Sequence, residues 1–347
     1  MSIPTTTNSP EKSVQAQKRK PINFQAFGIY VAVVVLVIVL SLLSPVFLTI
    51  GNLRDVAISA SVNAIIGLGL TFVIITGGID LAVGAMASLV GIVSGTLMVS
   101  LGFEPVVALL IGLVVGLVAG MVNGLLVTKL KLPPFIATLG TMSIFQGLAF
   151  VVCDGKPVYN VPKDFIILLN SYIYGVPFIL IIVAIVGVAA WVLLRKTVFG
   201  ENVIAVGGSE ETAWLSGIRV HRVKISVYAL SGLLSALAGM IIVARINAGQ
   251  PTAGGSYQLT AIAAAVIGGA NLMGGEGRIG GTLIGAFILA ALSNGLVLLN
   301  VPSFYEQIVT GCVVLIAVAL DQGSKGWPML RSGKSKKDFA AATTEAK

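Results

Sequence analysis

Residues Gly275-Glu276-Gly277-Arg278-Ile279-Gly280 satisfy the spacing G-x-G-x-x-G. Between a parallel strand and a helix, that spacing lets backbone N–H groups cradle a dinucleotide pyrophosphate, with an acid about 20 residues further on to hold a ribose hydroxyl. Near that distance stands Asn300, and the nearest acid is Glu306. Apolar runs precede and follow the stretch, so its glycines read as a tight turn rather than a nucleotide site. The other chemistry-bearing residues are equally sparse. The single histidine, His221, cannot build a Ser/His/Asp or Cys/His set, and no GxxxxGK[ST] phosphate loop occurs. Cys153 and Cys312 lack metal-ligand spacing and read as packing residues, so no metal site is expected. The chain does not look like an enzyme, and if ATP drives its work another chain must bring it.

Asp80 is the one ionisable residue that interrupts an apolar stretch deep in the sequence, at Gly77-Gly78-Ile79-Asp80. Its carboxylate could cap the free N–H groups of a helix starting near Leu81. Alternatively it lies in a broken helix facing a polar pathway, because an ionisable group at membrane depth is costly unless it serves a cavity or a partner. Asn63, Thr71, Asn123, Gln146, Ser293 and Asn294 are uncharged polar groups inside apolar runs. They suit hydrogen bonds between helices, with some lining a solute path. A proton-coupled transporter would place several carboxylates or histidines at this depth, and Asp80 stands alone.

The elements that position these residues are membrane helices. Of 347 residues 56 % are hydrophobic and only 10 % charged, far from the roughly 25 % charged of soluble domains. Apolar runs near the spanning length of about 20 residues recur, for example Ile29 to Leu43, Val106 to Val127 and Phe178 to Leu194. Continuous runs argue against an alternating β-barrel. The fold class is all-α, with about ten transmembrane helices expected near 28–45, 56–76, 82–101, 106–128, 134–152, 177–194, 225–246, 258–274, 279–299 and 305–321. Residues 1–26 and 323–347 read as basic tails flanking one membrane domain over 27–322, the first apolar run being a retained span rather than a signal peptide. With both termini inside, the outer loops hold only Arg54, Lys156, Lys163 and Arg245, which fits the positive-inside bias. The net charge of +8 then needs no nucleic acid, since a basic inner face against anionic lipid accounts for it.

Glycine lies within the spans. Gly112, Gly116, Gly120 and Gly124 recur every fourth residue, as do Gly277, Gly281 and Gly285, and each set marks a face where a neighbouring backbone approaches closely. Segments 56–152 and 225–321 each hold four expected spans and start on opposite sides, the signature of an inverted repeat. Pro133-Pro134 ends one helix and starts the next. In the longest inner loop, Arg195 to Lys224, Ser209 can cap a short helix through Glu210, Glu211, Thr212, Ala213, Trp214 and Leu215, closed by Gly217. Its apolar edge, Ala213, Leu215 and Ile218, could seat in a partner's groove or simply lie in the membrane interface.

Five stretches carry a family resemblance: GGIDLAVGAMASLVG at 77–91, KLPPFIATLGTM at 131–142, FGENVIAVGGSEETAWLSGI at 199–218, AIAAAVIGGANLMGGEGRIGGTLIGA at 261–286 and NGLVLLNVPSFYEQIVTGCVVLIAVALD at 294–321. They resemble the permease subunits of ribose-type ABC importers, in order and over nearly the whole chain between the tails. The resemblance implies a type II importer-like permease of the bacterial inner membrane that moves a monosaccharide. It implies as partners a cytoplasmic ATPase carrying the ATP and Mg, a periplasmic sugar-binding protein and a second permease copy or paralogue. Ser209, Glu210, Glu211, Ala213, Ser216, Gly217 and Ile218 then match the family's ATPase-docking helix, while Trp214 stands where a small or charged residue is more usual. Ribose comes first as cargo, before other pentoses, hexoses or a furanose-like signal, because the binding protein makes the primary selection. A lone secondary transporter or channel, and a membrane scaffold without transport, are the rival classes.

Overall fold

The computed structural model describes residues 24–324, so the two basic tails lie almost wholly outside the described residues. In chain order the elements are α1 (Phe24–Leu43), α2 (Ile50–Ile75), α3 (Val83–Val99), α4 (Pro105–Thr128), α5 (Pro134–Val152), α6 (Lys163–Asn170), β1 (Tyr172–Ile173), β2 (Val176–Pro177), α7 (Phe178–Lys196), α8 (Val198–Gly208), α9 (Glu210–Leu215), α10 (Val220–Ile246), α11 (Gly255–Ile267), α12 (Ile279–Leu298) and α13 (Ser303–Ser324). Helices α2, α4, α5, α7, α10 and α12 are long and apolar enough to cross a bilayer. This is a helical, multi-pass membrane protein, and the only sheet among the described residues is the β1–β2 hairpin.

Helix limits follow local chemistry. The Thr49 hydroxyl accepts the Asn52 N–H and starts α2. Pro105 and Pro134 occupy first-turn positions of α4 and α5, where the missing N–H costs no intrahelical bond. Beyond α2, Gly77 adopts φ 73°, a left-handed turn that a residue without Cβ adopts freely. One expected span needs correction. The stretch 258–274 is not one helix, because α11 stops at Ile267 and Gly269 turns the chain at φ 87°. Thirteen residues at about 1.5 Å each cover about 20 Å, short of the roughly 30 Å hydrocarbon core. The helices α6 and α8 were also unforeseen.

Helices α2 and α10 form the centre. The apolar windows of these two are 89% and 83% buried, against 22% for α7 and 28% for α4 and α5, so the first pair is apolar all round because protein surrounds it. The packing is reciprocal. The α10 helix lies on α3 and α4 as α2 lies on α11 and α12, and α5 rests on α3 as α13 rests on α11. Local geometry repeats with it. Lys131 and Asn300 both take left-handed φ, 54° and 55°, just before Pro133 and Pro302. Gly77 after α2 and Asn247 after α10 are likewise left-handed. Near the starts of α3 and α11, Gly84 meets Gly254 backbone to backbone, and a Cβ on Gly84 would stand 2.6 Å from the Gly254 carbonyl oxygen.

Candidate functional site

The seven stripe glycines divide by neighbour. A Cβ on Gly116 would overlap the Gly232 carbonyl, one on Gly120 the Tyr228 carbonyl, and one on Gly124 would reach the Ile225 backbone at 2.7 Å. Gly112 faces Val90, Ser94 and Met240. The α4 stripe therefore packs mainly against α10, with its first member also meeting α3. Gly281 and Gly285 pack on the backbones of Gly268 and Ala264, at α11. Gly277 does not continue that seam, which corrects the expected stripe. It precedes α12, whose first residue is Ile279, and it faces Ile75 and Thr71 of α2 instead.

Asp80 is sealed from solvent in the turn between α2 and α3. Its Oδ1 accepts the Ala82 N–H at 3.0 Å and the Asn123 side-chain N–H at 3.3 Å. Its Oδ2 accepts the Ser231 hydroxyl at 3.0 Å. The neighbouring Ile79 carbonyl accepts Thr138 at 3.2 Å and Tyr228 at 3.4 Å. One turn is thus tied to α4, α5 and α10 by neutral donors. The Ala82 bond closes a turn just ahead of α3, whose own start has no side-chain cap, so the carboxylate braces the turn rather than capping the helix, and Asn123 is its second member. Thr138, Tyr228 and Ser231 were not singled out from sequence, since hydroxyls in apolar runs carry no signal of their partner.

The remaining polar residues do not join this cluster. Asn294 pairs with Asn52 through two reciprocal amide bonds of 2.9 and 3.0 Å, fastening α12 to α2. Thr71 and Thr282 share a hydroxyl contact of 2.7 Å on the same seam. Ser293 donates to Glu306 of α13. Gln146 of α5 donates to the Pro251 carbonyl at 2.6 Å, reaching the connection between α10 and α11. The Asn63 Oδ1 and Asn123 Oδ1 atoms are buried without a protein hydrogen-bond partner.

At one end of the bundle, the short helices α8 and α9 follow α7 in succession. Ser209 caps α9 by accepting the Thr212 N–H at 3.2 Å. Glu210 and Glu211 stand in its first turn, where the helix dipole favours negative charge, and Glu210 pairs with Lys224 of α10. Ser216 bonds back to the Thr212 carbonyl, and Gly217 closes the helix at φ 84°. Ala213 is buried and anchors the helix, whereas Trp214 and Leu215 are 69% and 71% exposed. This six-residue helix is held by a cap, an ion pair and one alanine, and it leaves two large apolar side chains without cover from the rest of the chain.

The glycine-rich turn meets this end. The Gly275 N–H donates to the Ile75 carbonyl at 2.8 Å, and Gly274 and Gly275 both take left-handed φ. Gly207 of α8 packs against the same carbonyl so closely that no Cβ could fit. The G-x-G-x-x-G spacing is thus preceded by α11 rather than a strand, and its glycines let three backbones meet. Among the described residues no group of His, Cys, Asp or Glu is placed to hold a metal ion.

The family model for "Branched-chain amino acid transport system / permease component" matches residues 52–318. A ribose import permease protein of Bacillus subtilis (strain 168) is 49% identical over 90% of this chain and 98% of its own. The ribose import permease protein of Escherichia coli (strain K12) is 45% identical over 84% of this chain and 92% of its own. The D-allose transport system permease protein of the same strain is 38% identical over 89% and 96%. No solved structure matches the chain significantly.

Proposed function

Since the chain belongs to the family of branched-chain amino acid transport system permease components, we propose that it is the membrane subunit through which an ABC importer passes a monosaccharide. Ribose is the first candidate, because the two ribose permeases named above, at 49% and 45% identity, are more similar to it than the D-allose permease at 38%. On this reading α1 to α5, α7 and α10 to α13 make ten crossings with both termini in the cytoplasm. The reciprocal packing of α2 to α5 and α10 to α13 supports an inverted repeat about the Gly84–Gly254 contact. The half-length α11 begins at mid-depth beside Gly84 and runs to the inner 268–278 turn, so the irregular segment 247–254, in which Ala248, Gly249, Pro251 and Gly254 are buried in protein, completes that crossing.

The observation that carries the proposal is α9. Its exposed Trp214 and Leu215 fit a groove on a separate cytoplasmic ATPase, which holds the ATP and Mg; this chain holds neither. A periplasmic sugar-binding protein delivers cargo at the opposite end, and a second permease copy or paralogue completes the pathway. Movement of α9 reaches α10 through Glu210–Lys224, and reaches α2 and the 268–278 turn through Gly207 of α8. Coupling requires one nucleotide state of the ATPase to bind α9 better than another, because equal affinity shifts no equilibrium.

The test is uptake in proteoliposomes holding permease, ATPase and binding protein. Gly217→Val puts a β-branched residue at φ 84°, and Glu210→Ala removes the tie to Lys224. The pair should lower ATP-driven uptake about tenfold or more, within the usual range of coupling energies, and leave the binding protein's sugar affinity unchanged. Normal uptake with normal stimulation of ATP hydrolysis would sink the assignment. Uptake by the permease alone without ATP would favour a lone transporter, and no flux in any combination would favour a scaffold. Which sugar thermally stabilises the binding protein identifies the cargo.

A further inference from the structure

Two of the crossing helices present purely lipid-like surfaces. Every side chain of α4 that is not buried is apolar, and so is every one of α7 before Arg195. The face shared by α5 and the start of α11 is different. There Ser143, Gln250, Thr252 and Ser256 are exposed, and Gln146 and Thr260 are half-buried. The pieces adjoin because α5 and α11 both pack on α3, and because Gln146 of α5 bonds the Pro251 carbonyl just ahead of α11.

This surface lies at mid-depth. Ser143 is halfway along α5, and α11 begins beside Gly84, one turn beyond the Asp80 that reaches Ser231 in the middle of α10. Gly140, Gly147 and Gly255 add open space, with no atom within 4 Å of where a Cβ would stand. The hydroxyls of Ser143, Ser256 and Thr260 donate to carbonyls of their own helices at 3.4, 3.4 and 3.1 Å. Their lone pairs stay free as acceptors. Six uncharged hydroxyl and amide groups match the donors and acceptors of a neutral polyol, whereas a charged solute would need an opposite charge here.

We infer that the polar strip of Ser143, Gln146, Gln250, Thr252, Ser256 and Thr260 is this permease's wall of the sugar pathway and that its hydroxyls contact the passing monosaccharide. The inference rests on the importer reading. Water and sugar cover the strip between two permease copies, while the outer faces of α4 and α7 meet lipid.

Two arms test it. In a Cys153→Ser, Cys312→Ser background, Ser143→Cys, Ser256→Cys and the α4 control Val118→Cys are each exposed to a charged, membrane-impermeant thiol reagent in the reconstituted complex. The strip cysteines should react about tenfold or more faster than the control, because a charged reagent does not enter lipid. Equal rates overturn the inference, whether or not the importer works. In the second arm, Thr260→Val and Ser256→Ala should each lower kcat/KM for ribose uptake roughly fivefold, the loss expected for one hydrogen bond to the moving sugar. Stimulation of ATP hydrolysis by loaded binding protein should persist. Unchanged uptake in both variants overturns the sugar contact, and a wild-type complex that moves no monosaccharide refutes the importer reading itself.

Discussion

Asp80→Leu is expected to yield a permease that fails to fold stably, with little monodisperse protein in detergent and no uptake after reconstitution. The substitution removes the acceptor for three donors that are enclosed by protein, the Ala82 N–H, the Asn123 amide and the Ser231 hydroxyl. Each buried donor left unsatisfied costs about 1–3 kcal/mol. Ser231 recovers part of this by turning to the carbonyl one helical turn back, as serines in helices do. Ala82 and Asn123 have no such route, so the loss is a large fraction of a total stability of about 5–15 kcal/mol. Asp80→Asn keeps one acceptor oxygen and nearly the same volume, and is expected to lower the melting temperature by only a few degrees. A leucine variant that melts with the wild type would show that the cluster is not what holds the α2–α3 turn.

The fold was legible in the sequence wherever one short-range rule dominates. Apolar runs located the helices from α1 to α13 that can lie in a membrane, Pro134 fixed the start of α5, and Ser209 with Gly217 bracketed α9. Failures occurred where a distant residue decides. The 258–274 stretch is apolar throughout, so composition could not reveal that Gly268 must leave α11 to pack on the Gly281 backbone. Gly277 shares the fourfold spacing of Gly281 and Gly285 yet lies before the helix starts, so its spacing carried no face information. The reciprocal packing has a local trace in sequence, since Leu132-Pro133-Pro134-Phe135 and Val301-Pro302-Ser303-Phe304 stand at the starts of α5 and α13. Its stronger trace, left-handed backbone at both Lys131 and Asn300, exists only in three dimensions.

The polar residues show the same division. Asp80 was conspicuous because a carboxylate in an apolar stretch is expensive, but both a cap and a pathway role fitted the sequence. Only the positions of Ser231 and Asn123, on α10 and α4, reveal the brace between three helices that its carboxylate makes. Asn294 was visible as a polar group in a span, yet its partner Asn52 lies at the far end of the sequence and on another helix. Long-range pairing of this kind has no periodicity to read.

Gly120→Val is the second substitution with a large expected effect. A Cβ at this position overlaps the Tyr228 carbonyl, and the opposing surface is backbone that cannot turn aside. Helix α4 must then move away from α10, which also opens the Gly116–Gly232 contact. Helix association in lipid depends on van der Waals fit, and overpacking alone costs about 1–3 kcal/mol. Gly51→Ala is the control, because nothing lies within 4 Å of the added methyl. Thermal unfolding in detergent should separate the two, with a marked fall for Gly120→Val and none for Gly51→Ala. The same displacement carries Asn123, which follows Gly120 on α4, away from Asp80. Gly120→Val combined with Asp80→Asn should therefore destabilise by less than the sum of the single changes, since the first has already weakened the bond that the second perturbs. Strict additivity would mean that the α4–α10 seam and the Asp80 brace are held independently.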